Sequence, residues 1–519
     1  MLRAFEANAE NPLRYHDAKN VSDGVALRLD QTPDPSILGE MRVAPGEGGR
    51  DFSGEVVSVE GAWATIRPDR SGTPQPSSSG VLRSDRRAAI TAIDRQQRAL
   101  DAVEYGRCAR GDLAELLVNP SRARKPALMP APGFIQALDD SKKNAVQAAM
   151  GSGDVLLVRG PPGTGKTTFI TELVLQELRR QPGARVLVAS QSNAALDHAL
   201  AGIHELQPDV VLLRIARADG EKVAVSSEPL LLAAHLDRWK REAVATGTDA
   251  LRRWAASEDL DVEAIDAASW LSVLASGLRE LADLDATRAE ADARLQELRG
   301  SRGRASQSAT TSQLVRERQE EINELREAHA VCVDRNREAA TRLIALGQLS
   351  RQARLSSLAP EELEAQADTL LPANAAGAEA CRRRLALLSE WHARFGLGPA
   401  FKAATLARAN VVAATCVGLG GLRGAESVEF DLVIVDEASK ATAPEMLIPL
   451  SRARRIVLVG DDRQLPPYIE EGALDEEQLA ERGLIAEELK TPLFKQLADA
   501  LPDENVVALT HQHRMNPSI

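Results

Sequence analysis

The sequence predicts an α/β fold: a parallel sheet covered by helices, with a small β unit before it and a helical hairpin inserted into it. Apolar runs of strand length alternate with helical stretches from about Leu138 to Ala218, and the β runs resume between 410 and 509. A period-two pattern punctuated by Pro, Gly and Ser fills the first 88 residues, and from roughly 235 to 400 the β runs disappear. Alternating β and α segments imply parallel strands joined by helices on both faces. At 519 residues the chain exceeds what one core usually serves, so two to four folded units are expected.

In chain order, residues 1–88 hold segments such as GEVVSVEG (54–61) and AWATIR (62–67), whose alternation suits a small β-barrel or sheet. Residues 89–130 turn helical, with Ile90, Ile93, Leu100, Val103, Leu113 and Leu116 spaced for amphipathic faces. Residues 131–234 read as the first half of the α/β unit: DVLLVRG, a helix from Lys166, RVLVAS, a helix around Ala194, then DVVLLRI. In 235–404, Leu281, Leu284, Ala291, Leu295 and Leu298 follow a three-four spacing, as do Val315, Ile322, Leu325, Cys332, Ala339, Leu343 and Leu346. Two antiparallel helices of about 25 to 35 residues, roughly 40–50 Å long, are expected there, joined by the tip GSRGRASQSATTSQ. Such an arm suits either a solvated spacer or a grip on a strand or partner. Residues 405–504 complete the α/β unit with NVVAAT, FDLVIVD and RRIVLVG, and 505–519 open a further one with NVVAL.

The composition, 44% hydrophobic and 27% charged, is that of a soluble globular protein, and 3% aromatic argues against large aromatic-lined pockets. Four widely separated cysteines show no metal-ligand spacing with each other or with the eight histidines, which suits thiols in a reducing cytoplasm. No apolar signal core opens the chain, and no stretch reaches the ~20 apolar residues of a membrane span, so a cytosolic protein without a membrane partner is expected. The net charge of -12 speaks weakly against a nucleic-acid coat protein while leaving room for a local basic groove.

The sharpest motif is VRGPPGTGKTTF (158–169), a G-x-x-x-x-G-K-[ST] loop between an apolar strand and a helix. Gly160, Pro161, Pro162, Gly163, Thr164, Gly165, Lys166, Thr167 and Thr168 are expected to cradle nucleotide phosphates with backbone N–H groups and the positive end of a helix. Lys166 would pair with the β and γ phosphates, and the Thr167 hydroxyl would ligate Mg²⁺. FDLVIVDEASKA (430–441) ends an apolar strand in Asp436-Glu437. Asp436 can hold Mg²⁺ and Glu437 can orient and deprotonate the attacking water, although a helix cap explains such a pair equally well in isolation. In GDDRQLPPY (460–468), Gln464 is fixed by a rigid Pro-Pro pair where it can sense the γ-phosphate, or it belongs to an ordinary proline turn.

The ordered set GPPGTGKTT, SQSNAALDHAL, VVAATCVGLG, VIVDEASKATAPEMLIPL, VLVGDDRQLPP and HQHRMNP resembles the superfamily 1 helicases of the nonsense-mediated-decay and immunoglobulin-mu-binding type. The resemblance implies a RecA-like P-loop NTPase domain, preceded by a small β-barrel on a helical stalk and interrupted by a helical insertion. It implies ATP and Mg²⁺ as cofactors, with Ser192, Asn193 and Thr415 on the backbone of single-stranded DNA or RNA, and 5′ to 3′ polarity. It also implies that Arg514 reaches the γ-phosphate from a second RecA-like domain. Three departures stand out. Lys142 replaces the glutamine that reads adenine, and, as lysine only donates, the paired donor and acceptor contact is lost. Lys440 replaces the glutamine of the DEAxQ pattern, and His513 replaces the tyrosine that stacks on the base. With the chain ending at Ile519, most of the second motor domain is expected in cis beyond it or on another chain. The alternative is a nucleotide-dependent nucleic-acid-binding module or split helicase subunit without motor activity. An ABC-type chromosome-maintenance ATPase is disfavoured, since no Leu-Ser-Gly-Gly precedes Asp436.

Overall fold

A computed structural model describes residues 13–21, 24–30, 32, 40–45, 52–68, 79–84, 87–131, 133–216, 223–301, 309–394, 399–422, 428–467 and 491–513. The chain divides into two compact units, Met1–Leu232 with Leu406–Ile519, and Ala233–Thr405.

In the first unit, seven strands form one parallel sheet: β7 (Val155–Arg159), β8 (Val186–Ser190), β9 (Leu212–Ile215), β10 (Val411–Thr415), β11 (Leu432–Asp436), β12 (Ile456–Gly460) and β13 (Val506–Ala508). Their spatial order is β13-β7-β12-β11-β8-β10-β9. Strands buried on both faces need apolar residues at every position, and β8 (VLVAS) and β12 (IVLVG) are buried throughout. The helix Lys166–Arg180 contributes Phe169, Ile170, Leu173, Val174 and Leu178 to the same core as Leu196, Leu200 and Ile203 of the helix Asn193–Leu206. All strands run the same way, so their carboxyl ends share one edge. At the opposite edge Asp154 precedes β7 and accepts from the Arg110 guanidinium at 2.8 Å and the Arg124 guanidinium at 2.5 Å.

Six strands before the sheet close a barrel in the order β1-β2-β5-β4-β3-β6: β1 (Leu13–Val21), β2 (Gly24–Leu29), β3 (Glu40–Pro45), β4 (Phe52–Glu60), β5 (Trp63–Pro68) and β6 (Gly80–Ser84). Tyr15, Leu27, Leu29, Ile66 and Leu82 fill it, and closure removes the open edges such short strands would otherwise expose. The helix Arg87–Glu104 follows and packs on the helix Ala443–Leu450.

The second unit is helical. Helices Val262–Ser301 and Ala309–Ala345 run antiparallel: Arg335 pairs with Glu280 at 2.6 Å, and farther along the first helix Asp285 meets His329, earlier in the second, at 3.3 Å. They span 40 and 37 residues, longer than the 25 to 35 expected. In the first helix the three-four spacing marks only the outer part, whereas nearer the base Ile265, Ala268, Leu271 and Leu274 continue it inside a core shared with Ala339 and Leu343 of the second helix and with Leu363, Leu385 and Leu388. The first helix therefore extends about 60 Å at 1.5 Å per residue. Its outer part is held by the small cluster of Ala291, Leu295 and Ile322. The tip residues 302–308 lie outside the described residues. Among the described residues no helix is long and apolar enough to cross a membrane.

Candidate nucleotide site at the carboxyl edge of the sheet

β7 ends at Arg159, and the next six residues form a loop that feeds the helix starting at Lys166. Gly163 (φ 83°) and Gly165 (φ 80°) adopt the left-handed conformation that lets the loop turn its N–H groups inward without a Cβ clash. A side chain on Gly160 would sit 2.7 Å from the Lys166 Cγ, so glycine there leaves room for the lysine stem. The Lys166 ammonium donates to the Gly160 carbonyl at 2.8 Å, and the Thr164 hydroxyl donates to the Pro161 carbonyl at 2.8 Å. The Gly160 N–H donates to the Gly460 carbonyl at 2.8 Å, tying the loop to the end of β12. Pro161 and Pro162 are exposed on its outside, while Thr167 and Thr168 sit half-buried in the first helical turn.

Two strands away, β11 ends at Asp436, which is 6% exposed. Burial pushes its carboxyl up to about 6, tempered by the Glu437 N–H at 2.9 Å and the nearby Lys166 cation. A buried carboxylate short of countercharge, with a half-buried threonine hydroxyl across the loop, suits a hard divalent cation. Mg²⁺ commonly takes one or two protein oxygens and leaves its remaining positions to phosphates and water. Among the described residues no group of three or more His, Cys, Asp or Glu side chains gathers as a metal cage. Asp436 and Thr167 would hold Mg²⁺, which would neutralise phosphate charge when bound. Glu437 is one of two non-glycine residues with positive φ (51°) among the described residues, and its carboxylate accepts from Lys440 at 2.6 Å.

β12 lies between these two strands. Beyond it Asp461 organises the turn: its carboxylate accepts from the Arg463 N–H at 3.1 Å and from the Gln464 side-chain amide at 3.2 Å. Its own N–H donates to the Ser439 hydroxyl oxygen at 3.3 Å, linking the Gln464 turn to the segment after Glu437.

Farther along the edge, Ser190 of β8 stands beside both Asp436 and Thr415. Ser192 caps the helix Asn193–Leu206, accepting from the Ala195 N–H at 3.4 Å. Thr415 caps the short helix Cys416–Leu419, accepting from the Gly418 N–H at 3.0 Å. Capping uses oxygen lone pairs and leaves each hydroxyl hydrogen able to donate. The side-chain Oδ1 of Asn193 accepts from Arg214 at 2.5 Å. Arg214, fully buried on β9, also donates to Asp197 at 3.2 Å.

On the opposite flank of the loop, Lys142 is 3% exposed in the helix Asp140–Gly151. Its ammonium donates to the Asp139 carboxylate and lies 2.8 Å from the His513 Nε2. Burial alone would raise the Asp139 carboxyl, but hydrogen bonds from Lys142, Ser141 and His513 hold it well below the usual carboxylate range. The segment ending at His513 lies on the loop: the Gln512 amide donates to the Pro162 carbonyl at 2.7 Å and the His513 N–H to the Gly163 carbonyl at 2.8 Å. Arg514 lies outside the described residues.

One edge thus brings together the Gly160–Gly165 loop, Asp436, Glu437 and Gln464, with Ser192 and Asn193 one strand beyond β11 and Thr415 two. Sequence reasoning passed over Asp139, Arg214, Ser439 and Asp461. Asp139 carried a visible signal, an Asp before a helix in LDDSKK, which is a capping pattern.

The family model described as AAA domain matches residues 137–471, well over half of the chain. An uncharacterized ATP-dependent helicase of Methanocaldococcus jannaschii is 25% identical over 384 residues, 74% of this chain and 43% of that protein. The regulator of nonsense transcripts 1 of Dictyostelium discoideum is 36% identical over 117 residues, 22% of this chain and 8% of its own length. The DNA-binding protein SMUBP-2 of Mesocricetus auratus is 37% identical over 83 residues, 16% and 8% of the respective chains. The chain thus spans less than half the length of these relatives.

Proposed function

We propose that this chain, which belongs to the AAA-domain family and is a superfamily 1 helicase of the nonsense-mediated-decay type, hydrolyses Mg-ATP while bound to single-stranded DNA or RNA. The observation that carries the reading is the single sheet edge on which the phosphate loop and the Asp436-Glu437 pair flank the Gln464 turn. Lys166 and the loop N–H groups hold the phosphates, Thr167 and Asp436 hold the metal, and Glu437 orients and deprotonates the attacking water. Gln464, fastened to Asp461, reports the γ-phosphate state to the turn that Ser439 ties to Glu437.

Ser192, Asn193 and Thr415 contact the strand backbone, which makes binding tolerant of sequence and sensitive to salt. Arg514 supplies a cation to the γ-phosphate from a second RecA-like domain, in cis or on another chain. The barrel, on its helical stalk, and the hairpin are accessory to strand handling. Four free cysteines, three of them buried, suit a reducing cytoplasm.

The test is phosphate release from Mg-ATP by the full chain, with and without single-stranded DNA or RNA, for wild type, Lys166→Ala and Glu437→Gln. Hydrolysis stimulated by either strand and lost in both variants is expected. Rates indifferent to both substitutions overturn the assignment. A nucleotide-dependent binding module is favoured instead if ATP binding alone changes strand affinity and no turnover accompanies it.

A further inference from the structure

Asp139, Lys142 and His513 come from two places 371 residues apart and meet beside the phosphate loop. A side chain on Gly165 would lie 2.6 Å from the Lys142 Cε, so the ammonium stem lies directly against the loop that receives the phosphates. The sheet order sets the direction of a bound nucleotide. The metal and water residues are on β11, to one side of β7, so the γ-phosphate faces that way. The nucleoside must then leave toward the other side, where β13, the helix Asp140–Gly151 and the segment through His513 form the wall. Thr510 N–H donating to the Ser141 hydroxyl at 3.3 Å and Leu509 N–H donating to the Arg159 carbonyl at 2.8 Å hold that wall together.

Within it, His513 behaves as an internal ligand. Its Nε2, an aromatic ring nitrogen, is 2.8 Å from the Lys142 ammonium and 3.2 Å from an Asp139 carboxylate oxygen. Lys142 serves this nitrogen when it is unprotonated, and Asp139 serves it when it carries hydrogen. The pair therefore meets one flat nitrogen heterocycle with a donor and an acceptor side by side, in either tautomer.

We propose that Asp139 and Lys142 together read the edge of the nucleobase and that they admit both amino- and oxo-purine nucleoside triphosphates. This deepens the ATP-hydrolase reading and rests on it. An amide side chain offers a donor and an acceptor in a fixed plane, which matches the amino group and ring nitrogen of adenine. Here the two functions sit on separate side chains. Lys142, with three donors on a rotatable head, serves N7 of either purine or the guanine O6, and Asp139 accepts from the adenine N6 amino or a guanine N–H. Asp139 is also the cap of its helix, accepting from the Lys142 N–H at 3.0 Å, so the acceptor is held still while the donor adapts. His513 gives up its place on the pair when the base enters and remains beside it.

The experiment measures dissociation constants of the full chain for ATP, GTP and inorganic tripolyphosphate, the last reporting the phosphate loop alone. Wild type is expected to bind ATP and GTP within about tenfold of each other. Lys142→Gln, which installs a planar amide, should shift preference toward ATP by about tenfold or more, the discrimination of one bidentate base contact. Asp139→Asn, which keeps a capping residue, should weaken both nucleotides. All three proteins should bind tripolyphosphate equally, which also shows that the variants are folded. Wild-type preference for ATP above about a hundredfold overturns the proposal. So does equal loss of ATP and tripolyphosphate affinity in Lys142→Gln, which makes Lys142 a phosphate ligand. Failure of wild type to bind any of the three overturns the hydrolase reading as well, and is thereby distinguished from failure of the base reader alone.

Discussion

Glu437 offers a perturbation that separates stability from chemistry. Its backbone is left-handed at φ 51°, a conformation that costs a residue bearing a Cβ about 1–2 kcal/mol. Glu437→Gly relieves that strain. Against it stands glycine's larger unfolded-state freedom, about 0.5–1 kcal/mol. The lost ion pair to Lys440, with side chains 28% and 43% exposed, contributes about 0–1 kcal/mol. The contributions nearly cancel, so Glu437→Gly should stay within about 1 kcal/mol of wild type, and Glu437→Gln, which keeps the strain and shape, likewise. Hydrolysis should nevertheless fall by about 10²–10⁴ in both, the ordinary contribution of a general base. Thermal unfolding in parallel with single-turnover phosphate release measures both sides. Two outcomes refute the reasoning: unchanged hydrolysis in the variants, or a loss of about 3 kcal/mol or more in Glu437→Gly, which would make the carboxylate a structural group.

Gly165→Ala should lose nucleotide binding without loss of Lys166, because φ +80° strains any L side chain and the added methyl meets the Lys142 stem; equilibrium binding of tripolyphosphate checks it. Asp154→Asn should destabilise the sheet unit by about 3 kcal/mol or more, since two arginines lose a buried carboxylate, as read by denaturant unfolding. Burial alone would raise the Asp154 carboxyl, but Arg124 and Arg110 hold it below its usual range. Its stabilisation is therefore full above about pH 4 and is lost as pH falls further. In the helical unit, burial first, then the charges of Lys240 and Arg335, lower His392 to about 4. The unfolded chain thus takes up a proton that the folded unit refuses, and stability should fall by about 1.4 kcal/mol per pH unit between about 6.5 and 4. His392→Gln should flatten that slope in pH-dependent unfolding.

The parallel sheet was legible because strands buried on both faces read as nearly continuous apolar runs, such as VLLV, VLVA and LVIV before the polar residue that ends each strand. The strand–loop–helix geometry at Gly160–Lys166 was legible for a related reason: glycine spacing, lysine and the following helix are contiguous in the chain, so local geometry and composition coincide. The hairpin was legible only in part, since its three-four seam stops where the first helix enters a shared core and burial on several sides replaces periodicity. Residues acting through a distant partner left little or no local signal. Asp461 orders the Gln464 turn and reaches Ser439 across 22 residues, and Arg214 reaches Asn193 across 21. The α/β class, the parallel strands and the turn from β7 into the helix at Lys166 can be read without coordinates, because each is encoded in short stretches of neighbouring residues. What stands opposite them follows from packing between segments far apart in the chain. Lys142, apart, is a lysine where an amide was expected; packed against Asp139 and His513 it becomes half of a donor–acceptor pair. Asp139 is a neighbour in the chain, but His513 comes within reach only through the folding of β13 beside β7.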